Sequence, residues 1–155
     1  MRLEDYDTGT TYNARVISNE RITDPGAADE VRDIVIAIPG AGAAYQPGQS
    51  IGVIVDGDPT LGQEHHFRLY SVADLPEPGQ DGAPRIALCV KRCSYIDDYS
   101  GEEYRGIASN FLCDRTPGDE LTVNGPFGLP FSVPEDRAAD LLLIGMGTGI
   151  APFRM

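Results

Sequence analysis

The stretch "HHFRLYSVAD", residues 65–74, decides how the chain is read. Its apolar positions suit a strand, yet Arg68, Tyr70 and Ser71 put a cation, a phenol and a hydroxyl within four residues. A plain core strand alternates apolar and polar side chains and needs no such set. Taken alone, the stretch is a barrel strand with a surface arginine and a snorkelling tyrosine. The alternative is a strand that presents polar groups to a ligand, and the rest of the chain must decide between the two.

Working outward, apolar residues recur at period two in "TYNARVISN" (11–19) and "EVRDIVIAI" (30–38), and short strands are expected at "IGVIVDG" (51–57), "HFRLYSVA" (66–73), "RIALCVK" (85–91) and "DELTVNGPFG" (119–128). Turns rich in Gly and Pro, such as "YQPGQS" and "TPG", separate them. Six short strands punctuated this way predict an all-β, six-stranded antiparallel Greek-key barrel, closed or nearly so, because closure removes exposed edges. Before the last strand, "GIASNFLCDRT" (106–116) predicts a short helix capped by Ser109 and carrying Phe111 and Leu112.

A different pattern begins near residue 140. "ADLLLIGMGTGIAPFRM" (139–155) is an unbroken apolar run, then a glycine-rich turn, then a helix start. Continuous apolarity marks a parallel strand covered on both faces. A strand, glycine turn and helix in succession open many nucleotide-binding α/β domains. The expected division is therefore a barrel domain over 1–138 and, over 139–155, the first strand (Leu141–Ile144) and turn of a truncated α/β domain.

Composition narrows the function. The 155 residues suffice for one ordinary domain, and 24 acidic against 12 basic residues give a formal charge of −12. That balance excludes nucleic acid and an anionic membrane surface, both of which need a concentrated basic face. An oligonucleotide-binding barrel fails on the same ground and on the lack of an aromatic stacking series. No segment has the length and apolarity of a membrane span or a signal peptide, so the expected location is cytoplasmic. Cys89, Cys93 and Cys113 form no C-x-x-C unit, and they read as reduced structural thiols. His65 and His66 are adjacent on a strand, so they point to opposite faces and make a poor ligand pair; no metal site is assigned.

In order and spacing, "RLYS", "ALCVKR", "GIASNFLCDRTPGDELTVNGPFG" and "LLLIGMGTGIAPFR" resemble the ferredoxin–NADP reductase family, most of all its plant-type branch. The motifs run from about Gln49 to the C-terminus, while the first forty-odd residues resemble the family only as generic β pattern. Each motif alone is weak, but four in order are specific. The resemblance implies a six-stranded FAD-binding barrel followed by a Rossmann-like NADP domain. It implies an oxidoreductase that passes electrons between NADPH and one-electron carriers through FAD.

Site residues follow from the same resemblance. Arg68 would pair with the FAD pyrophosphate, Leu69 would offer its backbone, and Tyr70 would lie against the isoalloxazine. Ser71, the expected catalytic residue, would stand near the reactive flavin nitrogen and the nicotinamide. The backbone of Cys89, Val90 and Lys91 would line the FAD, with the Lys91 ammonium facing NADPH phosphates. Tyr95 would stack on the adenine, with Tyr99 and Tyr104 as rivals. Gly106, Ile107, Ala108 and Ser109 would meet the pyrophosphate at a helix N-terminus, and Ala108 stands where plant-type members usually carry cysteine. Thr148 would lie between flavin and nicotinamide. Ferredoxin or a fused iron–sulfur domain is the implied partner, and Arg68, Arg85, Lys91, Arg92 and Arg105 could form a local basic docking face. A non-catalytic flavin-binding subunit of a larger electron-transfer assembly is the alternative function. NADPH versus NADH preference and oligomeric state are left open by these residues.

Overall fold

The computed structural model describes residues 6, 9–40, 45–46, 48–57, 62, 64–79, 81–131 and 134–154. Nine strands are formed among them: β1 (Tyr12–Arg21), β2 (Val31–Ala37), β3 (Ser50–Asp56), β4 (His65–Ser71), β5 (Glu77–Pro78), β6 (Pro84–Lys91), β7 (Ser94–Ile96), β8 (Glu103–Arg105) and β9 (Glu120–Phe127). One α-helix, α1, spans Ile107–Cys113, and a 3₁₀ helix spans Gly147–Arg154. All six expected strands are present. The extra pairs are the two-residue β5 and the β7–β8 hairpin.

Seven strands form one antiparallel sheet in the order β4-β3-β9-β1-β2-β6-β5. Neighbours in that order are not always neighbours in sequence, as a Greek key requires. The sheet is not a closed ladder. A single bridge, Val72–Leu88, joins its two sides, supported by the Ala73 N–H donating to the Ala87 carbonyl at 2.8 Å. The expected barrel is therefore a curled, open sheet.

Alternation decides the core. Ala14 and Val16, Ile34 and Ile36, Ile51, Val53 and Val55, Ile86, Leu88 and Val90, Leu121 and Val123 all turn inward and form one cluster with Val72. Helix α1 adds Ala108, Leu112 and Cys113 to that cluster, packing against β2, β3, β4 and β6. On the sheet's other face, Tyr6, Phe67 and Phe127 meet ring to ring, with centroids 5.0 Å apart for Tyr6 and Phe127. Gly52 makes room there, because a Cβ would collide with the Phe67 ring and the Asn124 side chain.

The helix is fastened at both ends. Its cap is Gly106, in extended conformation, and no side chain caps it. Ser109 is thus inside the first turn, not the cap expected from the sequence. Its hydroxyl accepts from the Cys93 N–H at 3.2 Å and donates to the Gly106 carbonyl at 3.3 Å. At the far end, Asn19 Nδ2 donates to the carbonyls of Leu112 and Arg115 at 3.0 and 2.7 Å, satisfying groups a helix end leaves open. Arg92 then ties β6 to the helix through Glu30 (2.9 Å), Asp114 (2.9 Å) and Asn110 Oδ1 (3.0 Å).

Glu30, held by both Arg92 and Arg32, titrates at about 2, well below its ordinary 4.5, chiefly because of those two hydrogen bonds. A carboxylate with a depressed folded pKa stabilises the fold above its unfolded value and loses that contribution as pH falls toward the folded one. Part of the fold's stability should therefore disappear between about pH 4.5 and 2, by roughly 1–2 kcal/mol since the side chain is partly solvated. Urea melts across that range should show Glu30→Gln with a visibly smaller acid dependence than the parent. An unchanged dependence would assign the acid sensitivity to other groups.

The run Leu141–Ile144 forms no strand. Its side chains are exposed, Leu142 to 85% and Ile144 to 76%, and no ladder partner lies among the described residues. An apolar run cannot hold strand geometry without neighbours to take its backbone groups.

Candidate functional site

Two adjoining clefts run along β4. The first, of about 580 Å³, lies between β4 and the segment from Cys93 to Ser109. His66, Arg68, Leu69 and Tyr70 form one wall, and Gly106, Ile107, Ala108 and Ser109 form the other. The β7–β8 hairpin closes one end with Tyr95, Tyr104 and Arg105. The second, of about 300 Å³, continues past Tyr70 to Ser71, Cys89 and Lys91, and is closed by Thr148, Gly149, Ala151 and Pro152 of the 3₁₀ helix.

Twelve of the thirteen expected cofactor residues border these clefts. Val90 does not, because its side chain is in the core at 1% exposure. Strand alternation requires this, since Cys89 and Lys91 on either side face outward.

Charge is distributed unevenly. In a chain with a formal charge of −12, no described carboxylate lines either cleft, whereas Arg68, Arg105 and Lys91 do. Among the described residues Arg68 forms no ion pair with a carboxylate and donates to its neighbour, the Phe67 carbonyl, at 2.8 Å. Lys91 is held by Asp29 at 2.8 Å. Arg92 is engaged by Glu30 and Asp114, so it offers little to a docking partner. Of the five residues of the basic face expected from the sequence, Lys91 and Arg92 are engaged by carboxylates and Arg85 lies outside both clefts, which leaves Arg68 and Arg105 as cleft cations that pair with no described carboxylate.

Tyr70 is the aromatic floor between the two clefts. Burial pushes its phenol well above the ordinary value, so it stays neutral at any physiological pH. Ser71 Oγ lies 3.5 Å from Ser50 Oγ across the β3–β4 pair. Tyr95 stacks on Tyr104, with centroids 5.4 Å apart and planes 18° off parallel. The hairpin thus presents a double aromatic step where a single stacking residue was expected. Tyr99, fully exposed at the hairpin turn, is not part of it.

His66 and Arg105 complete the first cleft and were not assigned to it from sequence. His66 shares a face with Arg68 and Tyr70 at spacing i, i+2, i+4, which is the signal that could have found it. Burial, and then Arg68, lower its pKa, so the imidazole is neutral near pH 7. Arg105 is brought in by the hairpin, whose three-residue strands are too short to register as a pattern. Cys93 borders the first cleft as well, with its backbone held by Ser109 and Asn110. No group of metal-ligating side chains occurs among the described residues. None of the described helices is long and apolar enough to cross a membrane.

The chain with this open antiparallel sheet, a helix laid along a basic cleft that no described carboxylate lines, and a glycine-rich segment at its end is similar in sequence to the ferredoxin–NADP reductases. It is 42% identical over 145 residues to the chloroplastic ferredoxin–NADP reductase of Spinacia oleracea, covering 94% of this chain and 39% of that protein. It is 43% identical over 143 residues to leaf isozyme 1 of Arabidopsis thaliana, covering 92% and 39%. An alignment of that length extends well into the first 48 residues, where the motifs showed only generic β pattern. The chain spans about two fifths of the length of these relatives. No protein-family model matches it. Among solved structures, the ferredoxin–NADP+ reductase of Plasmodium falciparum with 2′P-AMP shares the fold, with a TM-score of 0.69 at 20% identity, over 97% of this chain and 52% of that one.

Proposed function

We propose that the chain is the FAD-binding portion of an NADP-dependent flavoprotein reductase that passes electrons from NADPH to ferredoxin or an iron–sulfur module. The observation that carries this is the cationic first cleft, lined by no described carboxylate, with the Tyr95–Tyr104 step at one end and Tyr70 at the other, on a strongly acidic protein. A long ligand with an anionic middle and two flat ends fits such a surface.

The residues fit FAD in detail. The guanidinium of Arg68, with Arg105 opposite, supplies the charge for a pyrophosphate; α1 has seven residues, so its dipole contributes little beyond its first amides. The Tyr95–Tyr104 step suits an adenine, and Tyr70 suits the isoalloxazine. Held there, FAD would supply the exchange between two-electron hydride transfer and one-electron transfer. Tyr70 covers one ring face and excludes water. Ser71, beside Ser50, holds a hydroxyl at the edge of the second cleft, where the nicotinamide arrives. Thr148 faces the same space from the 3₁₀ helix, and Lys91 lines the mouth with a cation. Residues 139–155 are, on this reading, the start of the nicotinamide-binding domain.

Binding of FAD in preference to FMN tests the proposal, because FMN lacks the adenosine half addressed by the hairpin. Fluorescence-quench titrations should give at least about tenfold tighter binding for FAD, the worth of one base stacked on an aromatic side chain. Equal affinities would remove the adenine site from the assignment.

A further inference from the structure

The Gly147–Arg154 helix is attached to the barrel at one end only. Residues 141–147 are exposed, whereas Ala151 is 4% exposed against the sheet and Phe153 stacks on Phe131 with centroids 5.6 Å apart. At the tip, Arg154 Nη2 donates to Asp74 Oδ2 at 3.1 Å, and Nη1 lies 3.8 Å from Asp33 Oδ1. That Asp33 oxygen is buried and has no hydrogen-bond partner among the described residues, so the guanidinium is the group placed to compensate it. Asp74 lies three residues beyond Ser71, and Asp33 is paired in the β2–β6 register with Cys89. Both carboxylates are therefore anchored beside the wall of the second cleft. Thr148, Gly149, Ala151 and Pro152 form the facing wall.

We propose that Arg154 is a positioning residue, a latch that grips Asp74 and Asp33 and thereby holds Thr148 and Pro152 across the second cleft from Ser71 and Lys91. The importance of that cleft as the meeting place of nicotinamide and flavin rests on the function proposed above. The latch itself does not. One guanidinium serves two carboxylates, Asp33 on β2 and Asp74 in the bend after β4, so a lysine, with a single point of charge, would not replace it. Phe131 and Phe153 add apolar contact, but a ring stack fixes orientation less strictly than a forked ion pair.

Cys89 reports on the latch. Its thiol lines the second cleft, half-buried, and Arg154 lowers its pKa against the larger upward effects of burial and Asp33. Removing the cation without moving the helix would raise that pKa and slow thiolate chemistry. Releasing the helix would expose the thiol and speed it. The two effects have opposite signs, so the direction of the rate change separates position from electrostatics.

The experiment is maleimide labelling of the chain, resolved by mass spectrometry, with Cys113, buried and outside both clefts, as internal control for global opening. Arg154→Gln and Asp74→Asn should each label Cys89 at least about fivefold faster, with Cys113 unchanged, as expected for local release of a weakly held segment. Arg154→Lys, which keeps the charge but cannot fork to both carboxylates, should label Cys89 at least about twofold faster than the parent. Unchanged or slower Cys89 labelling in both Arg154→Gln and Asp74→Asn would overturn the proposal, and so would an Arg154→Lys variant that labels like the parent. Labelling needs no flavin, so it decides the latch even where FAD titration goes against the flavin site.

Discussion

Replacing Tyr70 by alanine should weaken FAD binding roughly thirtyfold, a loss of about 2 kcal/mol. The ring contributes in two ways. Stacking on a flat conjugated system is worth about 1 kcal/mol beyond burial, and the water-excluded floor it provides adds a comparable amount. Tyr70 also packs against the core, so the substitution should cost some stability of the free chain. Tyr70→Phe separates these effects, since it keeps the ring and removes only the hydroxyl. It should bind FAD within about threefold of the parent, because one hydrogen bond of about 0.7 kcal/mol is the most at stake. A Tyr70→Phe variant as weak as Tyr70→Ala would mean that the hydroxyl, not the ring, holds the flavin.

Ser71→Ala should do the opposite: leave FAD bound and slow hydride transfer by about a hundredfold. The hydroxyl occupies little contact area but is placed where charge moves during transfer, and a hydrogen-bonding group contributes most there. Stopped-flow reduction by NADPH, in a reductase that unites this chain with a complete nicotinamide-binding domain, measures the effect. The neighbouring Ser50 hydroxyl, 3.5 Å away, lies within reach of the same space and should account for part of the residual rate. Loss of flavin with normal turnover in the remaining holoenzyme would reverse the roles assigned to Tyr70 and Ser71.

Most of the long strands were legible in sequence because they carry two or three inward apolar residues at period two, as Ile34 and Ile36 or Ile86, Leu88 and Val90 illustrate. The β7–β8 hairpin was not. Its strands hold three residues each, all exposed, and it is organised by the Tyr95–Tyr104 stack, which no periodicity announces. The helix was found but begun one turn late. A serine at a helix start suggests a cap, whereas Ser109 spends its hydroxyl on Cys93 and Gly106, and a glycine cap leaves no side-chain signal. The apolar run at 141–144 reads as a strand in sequence but forms none, because strand formation depends on ladder partners outside the run itself. For the site, local spacing left Arg68, Tyr70 and Ser71 as a plain strand, and only the resemblance carried by the downstream motifs grouped them. Spacing failed for Arg105, which the hairpin brings across, and for the pairing of Lys91 with Asp29, which depends on how the β2–β6 edge ends.

The flavin assignment stands or falls on where FAD lies, and hydrogen–deuterium exchange with and without saturating FAD measures that directly. Protection should appear in Arg68–Ser71, in Tyr95 and in Gly106–Ser109, which line the two clefts. The polar recess on the far side of the hairpin, bordered by Arg21, Pro25 and Asp114, should exchange as before. Protection confined to that recess, or no protection anywhere at FAD concentrations in the high micromolar range, would contradict the assignment.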